Sequence, residues 1–346
     1  MNVAVVGAGI MGASTALALT DRGHQVTIYD RYAPGHVWGS SHGRSRIVRA
    51  AYPDPFYTGI MVEGYSMWRD LQDRVGHQTE GGLLHEVGLI LFGQPDSAMV
   101  ADMIRSLRER DVPHEVVSGD RARDQWGIEI RTEEVAVLTP EAGWVHASNA
   151  VVGTIDLAMQ QGAIFVQEAA DPNALVGQFD RVIACVGAWA PEMFGVAATV
   201  TCQTVAYVDL GRAWRGPVYI EDSPDFMYGF PSERGCTTVK VGVHTPGLPI
   251  DPQNDSRPHD EAMVERILKF ARERFGIEHP KITEVVTCLY TNSADEDFRW
   301  GEKDGVIWAS PCSGHGFKFG PWIGARLADF AEGKRSPTEW PRFHRR

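Results

Sequence analysis

The first 30 residues contain the pattern that most constrains how this chain can fold. Residues 2–6, NVAVV, read as a short buried strand, and the glycine-rich segment GAGIMG follows at residues 7–12. A helical stretch to Asp21 then leads to a second strand that ends at Asp30. This order of strand, glycine turn, helix, strand and acid is the unit that binds dinucleotides in Rossmann-type sheets.

The three glycines of this turn have different purposes. Gly7 permits the sharp turn, Gly9 lets a pyrophosphate approach the backbone, and Gly12 lets the helix pack closely on the strand. The helix N-terminus directs free N–H groups towards the phosphates, and Asp30 would accept a hydrogen bond from a ribose hydroxyl. We therefore predict a nucleotide site rather than a turn without a ligand. This unit alone leaves NAD and FAD open.

A basic stretch rich in small residues follows at residues 38–49, WGSSHGRSRIVR. If the part after Gly43 is helical, Arg46 and Arg49 lie three residues apart on one face. Two cations on one face repel each other unless they share an anion, so the stretch indicates an anion site. The alternative is a solvated basic loop.

Residues 236–244, CTTVKVGVH, predict a strand with two different faces. Three valines share the face that the pattern assigns to a core: Val239, Val241 and Val243. Lys240 and His244 lie on the other face, on either side of Gly242, where they would leave a flat hollow for a planar ring. The alternative is an exposed sheet face.

The C-terminal segment SGHGFKFG, residues 313–320, joins a strand-like run to an apolar helical pattern that starts at Trp322. Lys318 lies in this glycine-rich turn between two phenylalanines instead of in a solvated loop. The position of this lysine needs an explanation from the rest of the chain.

The remaining patterns predict a second domain interleaved with the first. Residues 81–95 and 203–245 alternate as in an antiparallel sheet, and residues 181–189 read as a buried strand that returns to the nucleotide domain. The fold class predicted is α/β with an α+β second domain: a Rossmann-type nucleotide-binding domain interleaved with an antiparallel-sheet substrate domain. The first comprises residues 1–80, 140–200 and 285–346, and the second residues 81–139 and 201–284.

Composition excludes several classes of partner. The formal net charge of −12 leaves no basic excess for binding nucleic acid. No apolar run reaches the ~18 residues of a membrane span. The five cysteines are scattered without the spacing of metal ligands or of a disulfide framework. We predict a cytoplasmic protein with no nucleic-acid partner, no membrane partner and no metal.

Taken together, these stretches resemble the monomeric sarcosine oxidase and N-methyltryptophan oxidase family of flavoprotein amine oxidases, within the D-amino-acid-oxidase-like fold. The matching segments follow the family's order over nearly the whole chain: residues 7–30, 41–49, 228–232, 240–244, 288–291 and 313–318. The resemblance implies FAD rather than NAD as the cofactor and a monomeric protein.

The resemblance also implies a role for each matching residue. Cys288 matches the cysteine that bonds covalently to the flavin, and Lys240 matches the lysine that activates oxygen beside it. Arg49 and Lys318 match the pair that holds the substrate carboxylate, which would explain why Lys318 faces inwards, since a buried ammonium needs a counter-ion. The other matches are assigned to the substrate and cofactor walls: Ser41, His42, Arg46, Tyr228, His244, Gly314 and Gly316.

Two further residues follow from departures from the family pattern. Cys312 brings a second thiol near the expected flavin, which leaves the anchor open between Cys288 and Cys312. Tyr219 is expected about where the family has a methionine in contact with small substrates.

The activity that the resemblance implies is oxidation of a secondary amino acid, N-alkyl or cyclic. The carbon beside nitrogen would transfer a hydride equivalent to the flavin, and the products would be an imine and hydrogen peroxide formed from oxygen. Two alternatives stay open: a flavin-dependent dehydrogenase with another electron acceptor, and a non-catalytic FAD-binding protein.

Overall fold

The computed structural model describes residues 1–79, 81–254 and 256–344. Residues 80, 255, 345 and 346, which fall in the predicted domain ranges, lie outside the described residues. The strands are β1 (Asn2–Val6), β2 (Gln25–Asp30), β3 (Arg46–Arg49), β4 (Leu84–His85), β5 (Leu89–Gly93), β6 (Glu115–Ser118), β7 (Val135–Thr139), β8 (Ala142–Val145), β9 (Ile164–Gln167), β10 (Arg181–Ala184), β11 (Ala198–Asp209), β12 (Val218–Glu221), β13 (Met227–Phe230), β14 (Thr238–Val243), β15 (Leu248–Pro249), β16 (Lys281–Ser293), β17 (Arg299–Lys303) and β18 (Val306–Ser310).

The α-helices are α1 (Ile10–Asp21), α2 (Pro55–Val75), α3 (Ala98–Glu109), α4 (Gly119–Trp126), α5 (Ala147–Gln160), α6 (Pro172–Leu175), α7 (Ala190–Phe194), α8 (Glu261–Phe275) and α9 (Gly320–Ala331). Short 3₁₀ turns lie at Gly76–Gln78, Gly187–Trp189, Phe317–Phe319 and Pro337–Glu339. No helix in the described ranges combines the length and the apolar character that crossing a membrane requires.

A mostly parallel sheet carries the N-terminal unit. Its strand order among the described residues is β17-β18-β10-β1-β2-β9, and only the edge strand β17 runs antiparallel to its neighbour. β1 lies inside the sheet and is buried from Val3 onwards, while α1 packs between α5 and α9. Because the carboxyl ends of parallel strands meet at one edge, Gly7, Asp30, Cys185 and Pro311 come together there.

The largest sheet has the strand order β15-β11-β14-β13-β12-β5-β7-β6, with β16 on the other side of β11. The expected core face of β14 is confirmed, since all three of its valines are fully buried in a cluster with α8. The sheet is mixed rather than purely antiparallel, because β5 runs parallel to β12. The chain leaves β5 through α3 and reaches β12 only at Val218, so no hairpin imposes an antiparallel pairing here.

The smallest sheet has the order β3-β8-β4 and corrects one expectation. The stretch after Gly43 is not helical, because Arg46–Arg49 forms β3 and pairs with Ala142–Val145. The branched side chains of Ile47 and Val48 favour the extended conformation. The helical spacing of Arg46 and Arg49 is therefore not what brings the two arginines to one site.

The fold is α/β, with Rossmann-type and largely antiparallel layers built from interleaved segments of the chain. All strands of the six-stranded sheet lie within the ranges predicted for the nucleotide domain. β11 and β16 cross the expected boundaries at residues 200 and 284, and their long pairing runs from Ala198 to Asp209. The exact division into two domains stays a prediction.

Candidate active site

A cavity of about 1340 Å³ is lined by residues of both large sheets. Pockets for drug-sized ligands measure roughly 300–1,000 Å³, so this one can hold a larger ligand or two ligands together. It brings together nearly all the residues expected from the sequence: Gly7, Gly9, Asp30, Ser41, His42, Arg46, Arg49, Tyr228, Lys240, His244, Cys288, Gly314, Gly316 and Lys318. Gly12 lies outside the cavity wall, where a Cβ would clash with the carbonyl oxygen of Gly7.

The glycine turn forms part of the cavity wall. Gly7 has a φ of +101°, and a Cβ there would clash with the carbonyl of Cys185, so the position requires glycine. Asp30 accepts hydrogen bonds from the backbone N–H groups of Ala8 (2.7 Å) and Tyr32 (2.9 Å). Burial alone would raise the pKa of Asp30, but hydrogen bonds from His36 and these amides outweigh it, and the net pKa lies below the usual value.

Ser41 and His42 lie next to this turn. The Ser41 Oγ accepts a hydrogen bond from the N–H of Ile10 at 3.1 Å and would lie 3.1 Å from a Cβ on Gly9. His42 is buried, and its Nε2 has no hydrogen-bond partner within the described part of the chain. Burial, followed by the charge of Arg46, lowers the pKa of His42 to about 3, so its imidazole is neutral. A glycine cradle and an unpartnered ring nitrogen fit a bound dinucleotide.

Arg49 and Lys318 both line the cavity and are linked through Tyr52. The Arg49 guanidinium stacks 4.1 Å from the centroid of the Tyr52 ring and donates a hydrogen bond to the Ala51 carbonyl. The Lys318 ammonium donates to the Tyr52 hydroxyl (3.0 Å) and to the His315 carbonyl (2.7 Å). Neither cation has a carboxylate partner among the residues that the structure describes. Tyr52 was not expected from the sequence, which offers no local signal for it.

The electrostatics of this pair call for an anion. Burial, then repulsion from Arg49 and Arg46, lowers the pKa of Lys318 well below its usual range. Burial also lowers the pKa of Arg49. A carboxylate bound between the two would oppose both effects, because an opposite charge favours the charged form.

His244 also lines the cavity. Burial, followed by the charges of Lys318 and Arg49, lowers the pKa of His244 to about 4, so it contributes no charge at neutral pH. Gly314, at a φ of +72°, leaves room for this ring, since a Cβ there would lie 2.8 Å from His244 Cε1. A Cβ on Gly316 would clash with the Pro311 carbonyl, so both glycines are needed for the turn.

Lys240 is buried in the cavity wall. Its ammonium donates to the Ser45 carbonyl at 2.9 Å and lies 4.8 Å from the centroid of the Phe230 ring. Burial, followed by repulsion from Arg46, lowers the pKa of Lys240 to about 7. The hollow predicted over Gly242 is filled by Tyr228, whose Cε1 would lie 2.8 Å from a Cβ on Gly242. The two residues are paired directly across β13 and β14.

β16 contributes Cys288 and Tyr290 to the cavity wall. The Tyr290 hydroxyl lies 3.5 Å from that of Tyr228. Tyr290 was missed, although period-two alternation from Cys288 along a strand would have indicated it. Cys312 also lines the cavity; its sulfur accepts a hydrogen bond from the N–H of Thr291 at 3.2 Å, and burial raises the pKa of the thiol.

The expectation for Tyr219 is wrong. Its side chain is fully buried in the core cluster that holds the valines of β14, and it stacks on Phe270 at a centroid distance of 5.4 Å. The next residue, Ile220, lines the cavity instead. Side chains alternate along a strand, so an offset of one residue in the family match moves the side chain to the opposite face.

Comparisons with known proteins agree with this geometry. The model of the FAD dependent oxidoreductase family matches residues 2–330. Monomeric sarcosine oxidase of Streptomyces avermitilis is 31% identical, over 95% of this chain and 93% of that protein. N-methyl-L-tryptophan oxidase of Yersinia pestis (strain Pestoides F) is 26% identical, over 99% and 98% respectively. The solved open form of NikD, an amino acid oxidase of nikkomycin biosynthesis, has the same fold, with a TM-score of 0.83 at 20% identity over 99% of this chain and 96% of NikD.

Proposed function

The chain belongs to the family of FAD-dependent oxidoreductases that includes monomeric sarcosine oxidase, and we propose that it is an oxidase of secondary amino acids. The substrate is an N-alkyl or cyclic amino acid, and the products are an imine and hydrogen peroxide. FAD, when bound, would supply the acceptor for the hydride equivalent that leaves the carbon beside nitrogen. The observation that carries the proposal is the pair of buried cations, Arg49 and Lys318, which face the cavity without a carboxylate partner among the described residues.

Arg49 and Lys318 hold the substrate carboxylate. A guanidinium offers a planar fork to two carboxylate oxygens, and an ammonium adds a point charge from a different direction. Tyr52 holds both cations in place, through its ring on Arg49 and its hydroxyl on Lys318. Because the carboxylate is held at one place, the neighbouring carbon that reacts is also held at one place. Holding the reacting carbon in a productive position raises the rate of the reaction.

The cations near the proposed carboxylate site also act on the substrate nitrogen. Arg46, Arg49 and Lys318 line the cavity, while His244 stays neutral. Fixed positive charges disfavour the ammonium form of a bound amine, so its proton is released more easily. A neutral amine is the form from which a hydride equivalent can leave.

The cofactor contacts are assigned to two groups of residues that line the same cavity. The proposed dinucleotide contacts are Gly7, Gly9, Asp30, Ser41 and His42, with Gly12 supporting the turn from behind. The proposed contacts of the ring system are Arg46, Lys240, Cys288, Gly314 and Gly316. We assign the covalent bond to Cys288, because the raised pKa of Cys312 disfavours the thiolate that such a bond requires.

Lys240 is assigned to the reaction with oxygen. A cation fixed in a dry site stabilises negative charge that develops beside it without reorganising solvent. The Ser45 carbonyl and the Phe230 ring hold the ammonium in position. We also propose that the protein is monomeric and that it is located in the cytoplasm. The name of the S. avermitilis relative supports the monomeric state.

Removing one member of the carboxylate pair should weaken substrate binding. Charge-assisted hydrogen bonds contribute roughly 1.5–3 kcal/mol, so Arg49→Ala or Lys318→Met should raise the Kd of an amino-acid ligand about 10- to 150-fold. The measurement is an anaerobic titration of each variant with an amino acid and with its decarboxylated amine. The amine should bind wild type and variants alike, since it lacks the group that is held.

The matched control is Lys269→Met, which removes an exposed lysine from α8. It should leave both Kd values unchanged. Equal affinity of the wild type for the acid and the amine, or unchanged affinity of both variants for the acid, would contradict the carboxylate pair.

A further inference from the structure

Phe226 has an unusual conformation in the wall of the cavity. It lines the cavity, is only partly buried, and has a φ of +47°, which bulky residues rarely adopt. Its backbone is held by hydrogen bonds, since its N–H donates to the Ser223 carbonyl (2.9 Å) and its carbonyl accepts from His244 (3.1 Å). Strained residues of this kind persist where surrounding structure enforces them, and they cluster at ligand sites.

This conformation places the Phe226 ring beside His244 in the cavity wall. The ring centroid lies 5.0 Å from that of His244. His244 in turn lies against Gly314, in the segment that carries Lys318, the partner of Arg49 in the carboxylate pair. A side chain on the α carbon of a substrate held by those two cations would therefore lie within reach of the Phe226 ring.

Apolar residues continue the wall beyond Phe226. Ile220 pairs with Tyr228 across β12 and β13, and Leu91 pairs with Ile220 on the other side, so the three form one row across the sheet. Met99 lines the same cavity from α3. Methionine adapts its shape to the apolar group that it contacts.

The helix that carries Met99 is tied to the carboxylate pair. Ser106 of α3 hydrogen-bonds to Thr58 of α2 at 2.7 Å, and the Thr58 hydroxyl donates to the Tyr52 carbonyl at 3.0 Å. Acids do occur at the cavity wall. Asp295 forms an ion pair of 2.7 Å with Arg299, and burial raises the pKa of Glu296, which favours its neutral form. Arg342 forms ion pairs of 2.6 Å with both Asp54 and Asp297. Charge compensation by Arg342 leaves these two carboxylates poorly suited to binding a cationic substrate side chain.

We propose that the substrate is a secondary amino acid with a bulky apolar side chain, and that Phe226 is the residue that selects it. This inference rests on the proposed function and adds the substrate class. Sarcosine, which has no side chain, would leave the wall of Phe226, Ile220 and Met99 without a contact.

The test compares N-methyl-L-phenylalanine, N-methyl-L-leucine, sarcosine and Nα-methyl-L-lysine as substrates. The wild type should have a higher kcat/KM for the first two than for sarcosine or the lysine derivative. In Phe226→Gly, the ratio of kcat/KM for N-methyl-L-phenylalanine to that for sarcosine should fall by about 10- to 200-fold. Glycine accepts positive φ, so this variant removes the ring without opposing the backbone conformation.

Phe226→Leu is the companion variant, because it keeps an apolar wall and should retain most of the preference. A second readout is the Kd of phenylacetate relative to acetate, neither of which reacts. Phenylacetate should bind more tightly to the wild type and lose this advantage in Phe226→Gly. A preference for sarcosine or the lysine derivative, or an unchanged ratio in Phe226→Gly, would overturn the inference. If no secondary amino acid reacts at all, the proposed function itself fails.

Discussion

Replacing Lys240 with methionine slows the reaction of the reduced enzyme with oxygen by about 100- to 1,000-fold, the range seen when one fixed electrostatic contact to developing charge is removed. Reduction by the substrate changes far less, because the carboxylate is held elsewhere, by Arg49 and Lys318. Methionine keeps much of the volume of lysine, so the buried site stays filled. Stopped-flow absorbance, with the two half-reactions measured separately, gives both rates.

The control is Lys269→Met on the surface of α8, which should alter neither half-reaction. Similar slowing of both half-reactions in Lys240→Met would instead assign Lys240 a general structural role. Slow reaction of the wild type with oxygen, combined with fast reduction, would favour the dehydrogenase alternative.

The pH dependence of the oxygen reaction follows from the burial of the same lysine. Burial lowers the pKa of Lys240 to about 7, so the ammonium is present below that pH and lost above it. The reaction with oxygen should therefore decline as the pH rises through this range. In Lys240→Met this decline should be absent, and a profile that the substitution leaves unchanged would show that another group titrates.

Replacing Cys288 with alanine abolishes covalent attachment of the flavin. A thioether survives denaturation, so the wild-type band on a denaturing gel should fluoresce and the Cys288→Ala band should not. Cys312→Ala is the matched control, since both thiols line the same cavity, and its band should stay fluorescent. Fluorescence that survives in Cys288→Ala but disappears in Cys312→Ala would reverse the assignment. If both variants keep a fluorescent band, the flavin is bonded to another residue. If the wild-type band does not fluoresce, the flavin is not covalently bound.

Local patterns allowed much of the fold to be predicted from the sequence. The glycine turn before α1 and the buried valines of β14 depend on residues close together in the chain, where periodicity and backbone sterics decide the outcome. The parallel pairing of β5 with β12 was missed, because it depends on where the chain returns after more than 100 residues.

The residues of the site show the same difference between features set by local sequence and features set by distant segments. Arg49, Lys240 and Lys318 could be expected to line one cavity because the family motif identifies each of them. The helix suggested by the spacing of Arg46 and Arg49 was wrong, because these residues form the strand β3. Tyr52 and Phe226 escaped prediction, since their positions depend on distant segments that the sequence does not bring together. Tyr219 was predicted to contact the substrate, but its side chain lies in the core and that of the next residue, Ile220, lines the cavity. Neighbouring residues of a strand face opposite sides, so an error of one residue changes the face.

The most direct test of the account is to mix the purified flavoprotein with a panel of secondary amino acids in the absence of oxygen, and then admit air. The panel includes sarcosine, N-methylated apolar amino acids and cyclic amino acids, each paired with its decarboxylated amine. We predict that at least one amino acid bleaches the visible absorption of the flavin, that its amine does so far less well, and that air restores the colour with release of hydrogen peroxide. Failure of every amino acid to bleach the flavin would contradict the proposed function and favour a non-catalytic FAD-binding protein.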